Sequence, residues 1–216
     1  RLQQLRSQID PHFLFNTLNV IQQMAGTESA YRTQALIMAL SHLLRYSLMS
    51  NDEQVPLSRE VRVVDEYYSI YHVRFGDRVQ MEWAFSDSLD LTETMVPSFI
   101  LQPIVENAIL HSGSNEGNIW IEVELLANGK IAILVKNDGT PINPEKIKEV
   151  LVQKNDISSN GIGLQYVARM LENRFGNDFE LKAERTEDGV NVVEIRIPFE
   201  ADEISGKPDK SERGYP

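Results

Sequence analysis

Four groups of residues carry side chains suited to chemistry. The first is the run Gln8-Ile9-Asp10-Pro11-His12-Phe13-Leu14-Phe15-Asn16-Thr17-Leu18-Asn19, which holds one of only four histidines in the chain. A neutral imidazole is a competent nucleophile near neutral pH, so His12 can accept an electrophilic group. His12, Asn16, Asn19 and Gln23 stand at i, i+4, i+7 and i+11, one stripe of a helix. By spacing alone that stripe reads first as a solvated face. The second group is Glu106, Asn107 and His111, on one edge of an otherwise apolar helical segment. Oxygen donors there can hold a hard cation and polar donors can neutralise phosphate, although a satisfied core polar cluster fits too. The third is Asn137-Asp138-Gly139, where a strand pattern ends. Such a turn either simply closes the strand or presents a side chain to a base while the glycine admits a ligand. The fourth is Gly161-Ile162-Gly163-Leu164, opening a helix. Free N–H groups and the helix dipole make that position an anion site.

The elements that must position these groups fall into two regions. Residues 1–25 show helical spacing in two rows, Leu2, Leu5, Ile9, Phe13, Thr17, Val20 and Leu14, Leu18, Ile21, Ala25. Pro11 predicts a kink or a helix start, and Asp10 can cap the helical segment after it. A loop is expected over residues 26–33 and a second helix over 33–49, with a wide apolar face. Two such helices cannot bury those faces against each other alone, and a dimeric four-helix bundle is the economical solution. His42 and Arg45 fall on the polar side and read as surface residues. After a turn-rich break at 51–56, Ser58 is the expected N-cap of a third helix to Arg74. Its core stripe is Val61, Val64, Tyr68 and Tyr71, and Gly76-Asp77 ends it.

From Arg78 the period changes to two. Val79, Met81, Trp83 and Phe85 alternate with other residues as a strand, and Leu89 and Leu91 extend toward an edge. Val96-Pro97 opens a helix through Leu110. Residues 118–126 read as a strand, Asn128-Gly129 as a hairpin turn, and 130–136 as the returning strand. A short helix is expected over 144–153 and a polar lid over 154–160. The glycine-opened helix runs to Phe175. A last hairpin, 179–185 with 190–199, turns at Glu187-Asp188-Gly189. The polar stretch from Glu200 to Pro216 reads as a disordered tail.

Composition excludes some functions. There is no cysteine, so disulfides, thiolate zinc sites and cysteine nucleophiles are ruled out. The net charge of −11 argues against nucleic-acid binding, which needs basic patches. No run of about 18 apolar residues spans a membrane, and no signal-peptide pattern is present. The chain opens inside a helical pattern, so a fragment of a longer protein is expected.

The order of these motifs resembles the catalytic core of sensor histidine kinases. Pro11-His12-Phe13-Leu14-Phe15-Asn16 is similar to the histidine box of the LytS/YesM type. Arg74-Phe75-Gly76-Asp77-Arg78 and Pro103-Ile104-Val105-Glu106-Asn107-Ala108 look like further landmarks of that subfamily. The resemblance spans residues 1–200. It implies an α+β chain, a helical hairpin forming a dimeric four-helix bundle followed by a Bergerat-type α/β sandwich. The expected division is 1–76 for dimerisation and histidine phosphotransfer, 77–200 for ATP binding, and 201–216 as tail. His12 is then the phospho-acceptor, Glu106 polarises or orients the reacting group, and Asp10, Glu106 or Asn16 could orient the imidazole. Asn107 would bridge Mg²⁺ to the ATP phosphates, with His111 nearby. Asn137, Asp138 and Gly139 match the adenine-side motif, and Gly161, Gly163 and Leu164 the phosphate side. The implied partners are a second copy of the chain and the receiver domain of a response regulator. The implied setting is cytoplasmic, with a membrane reached only through a missing upstream sensor region. The alternatives are an ATPase or ATP-gated switch of the same superfamily and a non-catalytic interaction module weakened at Asn137. Two departures stand out: Asn137 replaces the usual aspartate, and Phe13 follows the histidine where the commonest class has an acid.

Overall fold

The computed structural model describes residues 11–47, 54–112, 117–142 and 162–201. Among the described residues the first helix is α1 (Pro11–Thr27). Helix α2 (Tyr31–Ser47) packs back on it after Glu28-Ser29-Ala30. This link is shorter than the loop expected over 26–33. Ser29 takes a positive φ of 58°, and Ala30 N–H reaches Ala25 O at 2.7 Å, so the chain reverses at once.

Strand β1 (Gln54–Pro56) leads without a break into α3 (Leu57–Phe75). Ser58 is therefore not the N-cap. It lies within the first turn, and its backbone N–H donates to Leu91 O at 2.8 Å, while Pro56 holds the cap position. Val64 is fully buried, with Val61, Tyr68 and Tyr71 packed on the same core, and Gly76 caps the helix end.

The main sheet has the order β2 (Val79–Phe85), β4 (Gly117–Leu125), β5 (Lys130–Asn137), β7 (Asn191–Pro198) and β6 (Glu180–Arg185). β2 and β4 run parallel and the other neighbours antiparallel, so the sheet is mixed. One face carries Ile119, Ile121, Val123, Ile131, Ile133, Val135, Ile195 and Ile197, all within the core under helices α4 (Gln102–His111) and α5 (Ile162–Phe175). Each such side chain contributes about 1.5–3 kcal/mol by leaving water. The opposite face bears charge pairs, Lys136 with Glu122 at 2.6 Å and Arg196 with Glu194 at 2.7 Å. A one-sided core of this kind is what the alternation along the strands dictates. The architecture is α+β, a helical hairpin followed by a mixed sheet with helices.

Three expectations fail here. Val96-Pro97 does not open a helix: it ends strand β3 (Thr94–Pro97), which pairs with β1, and α4 starts only at Gln102. Leu89 and Leu91 do not prolong a strand; residues 86–93 fold into turns braced by Asp90, whose Oδ1 accepts from the Thr92 N–H at 2.8 Å and hydroxyl at 2.7 Å. Glu200 is not tail. With Ala201 it forms β8 against β3, and its carboxylate holds Arg174 at 2.9 Å and the Gln54 amide. The helix expected over 144–153 and the lid over 154–160 lie outside the described residues.

Candidate functional site

Helix α4 is the centre of the site, and a buried carboxylate fixes where it begins. Glu60 on α3 is wholly inaccessible. Its Oε1 accepts from the Phe99 N–H and its Oε2 from the Leu101 N–H, both at 2.9 Å, and the Tyr46 hydroxyl of α2 donates to the same group. These bonds hold Phe99 at a φ of +66°, a costly region for an aromatic residue. The Phe99 ring packs on Tyr46 at 4.5 Å and edge-on to Tyr166 of α5 at 6.4 Å. Burial raises the Glu60 carboxyl and the Tyr46 phenol above their ordinary ranges. Sequence reasoning missed this cluster; its one trace was an acid set among the apolar residues that open α3.

Along α4, Ile104, Val105, Ala108 and Ile109 face the core. Glu106 and Asn107 are half-buried and His111 is exposed in the last turn. Gln102 Nε2 donates to Glu106 Oε1 at 3.0 Å. Burial, and then the charge of Glu106, push the Tyr67 phenol up to about 12. The opening of α5 lies directly against this helix. A Cβ on Gly163 would stand 3.0 Å from Pro103 Cβ and 3.3 Å from Asn107 Nδ2, and Leu164 is buried beside it. Gly161 lies outside the described residues.

The turn after β5 docks on the other end of α4. Thr140 N–H donates to His111 O at 2.7 Å. A Cβ on Gly139 would fall 2.0 Å from that same oxygen and 2.5 Å from Ser112 Cα, so only glycine fits. Asp138 faces β4, its two carboxylate oxygens taken at 2.7 Å by the Asn118 backbone and side-chain N–H groups. Asn137 is 6% exposed. Its Oδ1 accepts from Asn191 Nδ2 at 3.4 Å, while its own Nδ2 is buried with no partner among the described residues. A buried donor left unpaired costs about 1–3 kcal/mol, and a base acceptor would relieve that cost.

Asn107, His111, Asn137, Gly139, Gly163 and Leu164 thus gather around α4 and the N-terminus of α5. The helix terminus suits phosphate and the unpaired amide suits a base, so a nucleotide fits the group. Among the described residues, no three His, Asp or Glu side chains cluster to hold a metal. An ion shared between phosphate oxygens and one amide needs no such cluster. His12 and Asn16 stand apart on α1. His12 lies on that helix, with its side chain outside the described residues; Asn16 is exposed. His42 and Arg45, expected as plain surface residues, brace the helices. His42 Nδ1 meets Glu66 of α3 at 2.7 Å, and Arg45 lies 5.0 Å over the Phe15 ring.

The family described as Histidine kinase matches residues 1–79, and the family described as Histidine kinase-, DNA gyrase B-, and HSP90-like ATPase matches 96–201. Sensor histidine kinase BtsS of Escherichia coli is 32% identical over 90% of this chain and 33% of its own length. Sensor protein kinase HptS of Staphylococcus aureus is 27% identical over 92% of this chain and 38% of its own. The chain therefore spans about a third of the length of the curated relatives it matches. The catalytic domain of histidine kinase ThkA shares the fold, with a TM-score of 0.53 at 22% identity over 68% of this chain and 95% of that one. With both family regions in order and the Pro-His-Phe-Leu-Phe-Asn box at their head, the chain belongs to the histidine kinases of the LytS/YesM type.

Proposed function

We propose that this chain transfers the γ-phosphoryl group of ATP to His12 and passes it to an aspartate on the receiver domain of a response regulator. The observation that carries the reading is that the α5 opening at 163–164 and the turn at 137–140 both dock on α4, toward its two ends, with an unpaired buried amide among them. Asn137 reads the base and Gly139 lets it approach. The backbone of Gly161, Gly163 and Leu164 receives the phosphates, with His111 beside them and Asp138 shaping the turn. Asn107 would hold Mg²⁺ through its side-chain oxygen. When bound, that ion would neutralise charge on the triphosphate. A lone pair of the neutral His12 ring attacks the phosphorus in line, and the bond to the bridging oxygen breaks as ADP leaves. Glu106 and Asn16 orient the imidazole in place of the missing acidic neighbour.

The division proposed is 1–76 for dimerisation and phosphotransfer and 77–200 for ATP binding. The dimer is proposed from what the hairpin leaves uncovered. Val20 and Met24 are each 55% exposed and Met38 45%, with Ile21 and Leu40 bare beside them. A second copy covers such a stripe as a four-helix bundle. Lysine at both Val20 and Met24 is expected to give a monomer by sedimentation velocity; an unchanged dimer contradicts the bundle. No described helix is long and apolar enough to cross a membrane. A cytoplasmic placement, tethered by upstream segments, is part of the proposal.

The test is incubation with Mg²⁺ and γ-labelled ATP. Acid-labile, base-stable label should build up on the chain and drain when a cognate receiver domain is added. Steady phosphate release without labelled protein would favour a plain ATPase.

A further inference from the structure

If Asn137 reads the base, as the nucleotide reading holds, the direction of its amide decides what base is read. Its cross-strand partner fixes that direction. Asn191 lies opposite Asn137 in the β5–β7 register and is buried. Asn191 Oδ1 accepts from the Ile142 N–H at 3.1 Å and from Arg185 Nη1 at 2.7 Å, and neither group can do anything but donate. Asn191 Nδ2 donates to the Thr140 carbonyl at 2.9 Å, which can only accept. Turning this amide over would oppose donor to donor and acceptor to acceptor at all three contacts, so one orientation survives. The second N–H of Asn191 then faces Asn137 at 3.4 Å, and Asn137 has to answer with its oxygen. Its Nδ2 is left as a buried donor without a protein partner among the described residues.

We propose that Arg185 and Asn191 are specificity-positioning residues that lock the Asn137 amide, so that a hydrogen-bond donor reads the base and 6-oxo purine nucleotides are accepted beside ATP. A carboxylate at this strand end can only accept. It takes the 6-amino group of adenine and repels a 6-oxo group. The locked amide donates instead: adenine N1 accepts that N–H, and hypoxanthine O6 accepts it with the base shifted along its edge.

The lock is tested by the ratio of ATP to ITP affinity, measured by calorimetry on the whole chain with Mg²⁺. In the native protein the two dissociation constants should lie within about tenfold of each other. Asn191→Asp keeps the acceptor for Ile142 and Arg185 but offers no N–H to Asn137. The Asn137 amide then turns over, puts its oxygen toward the base, and the ratio should shift toward ATP by about tenfold or more. Asn137→Asp should produce the same shift without disturbing Asn191, which keeps the test alive if the first variant does not fold. A native preference for ATP above about tenfold overturns the lock, as does a ratio within roughly threefold of native in either folded variant. If the folded native protein binds neither nucleotide, the nucleotide reading itself has failed. If it binds ATP and refuses ITP, that reading stands and only the lock is lost.

Discussion

Alanine at position 139 abolishes ATP binding in this account. The added methyl would sit 2.0 Å from the His111 carbonyl oxygen and 2.5 Å from Ser112 Cα. Both are backbone atoms at the end of α4, so neither can swing aside as a long side chain would. The turn has to lift from the helix, and the Thr140 N–H to His111 O bond of 2.7 Å has to break with it. Asn137 and the phosphate-side glycines would then no longer address one ligand. Misplacement of about 1 Å in a positioned site costs roughly a hundredfold, and at least that loss of affinity is expected by calorimetry. Circular dichroism should show the sheet intact. Affinity within about threefold of native would mean that the docking of this turn on α4 is not what builds the site.

Removing the Glu60 carboxylate is the most damaging single change expected for stability. Glu60→Ala strands the Leu101 N–H and the Tyr46 hydroxyl in the core and leaves the Phe99 N–H only its longer bond to the Tyr46 oxygen at 3.2 Å. At about 1–3 kcal/mol for each unpaired buried group, less what relaxation recovers, a loss of about 4 kcal/mol is expected from urea unfolding. The loss should reach function too, because these bonds hold Phe99 in its positive φ and so set the start of the helix bearing Asn107. Glu60→Gln keeps an acceptor at the same place and should lose about half as much. A Glu60→Ala protein within about 1 kcal/mol of native would show that water or another side chain replaces the carboxylate at no cost.

These two cases mark where the sequence could be read and where it could not. Strands β2, β4, β5 and β7 were legible because each lays one face on the core, which forces a period of two. The hairpin turns at Asn128-Gly129 and Asp188-Gly189 carry their own local chemistry. The glycine turns and the polar edge of α4 could be picked out as candidates for the same reason: each sits within a few residues of chain. The start of α4 was not. Pro97 read as the helix-opening residue, yet the helix opens beside Pro103, and that start is fixed by Glu60, far back in the chain. The short strands β1, β3 and β8 were also missed, since two to four residues show no period. Glu200 looked like the first residue of a polar tail, yet its partners Gln54 and Arg174 come from distant segments. Asn191 shows the same limit within the site. Nothing near it in sequence marks it, and its importance comes from lying across the sheet from Asn137.

The central claim is that His12 receives the phosphoryl group. The most direct test compares the native chain with His12→Gln, each incubated with γ-labelled ATP and Mg²⁺ and quenched in alkali. Acid-labile label is expected on the native chain, with its complete loss in His12→Gln and equal ATP binding by the two proteins. Equal labelling of both proteins would contradict that claim and place the acceptor elsewhere in the chain.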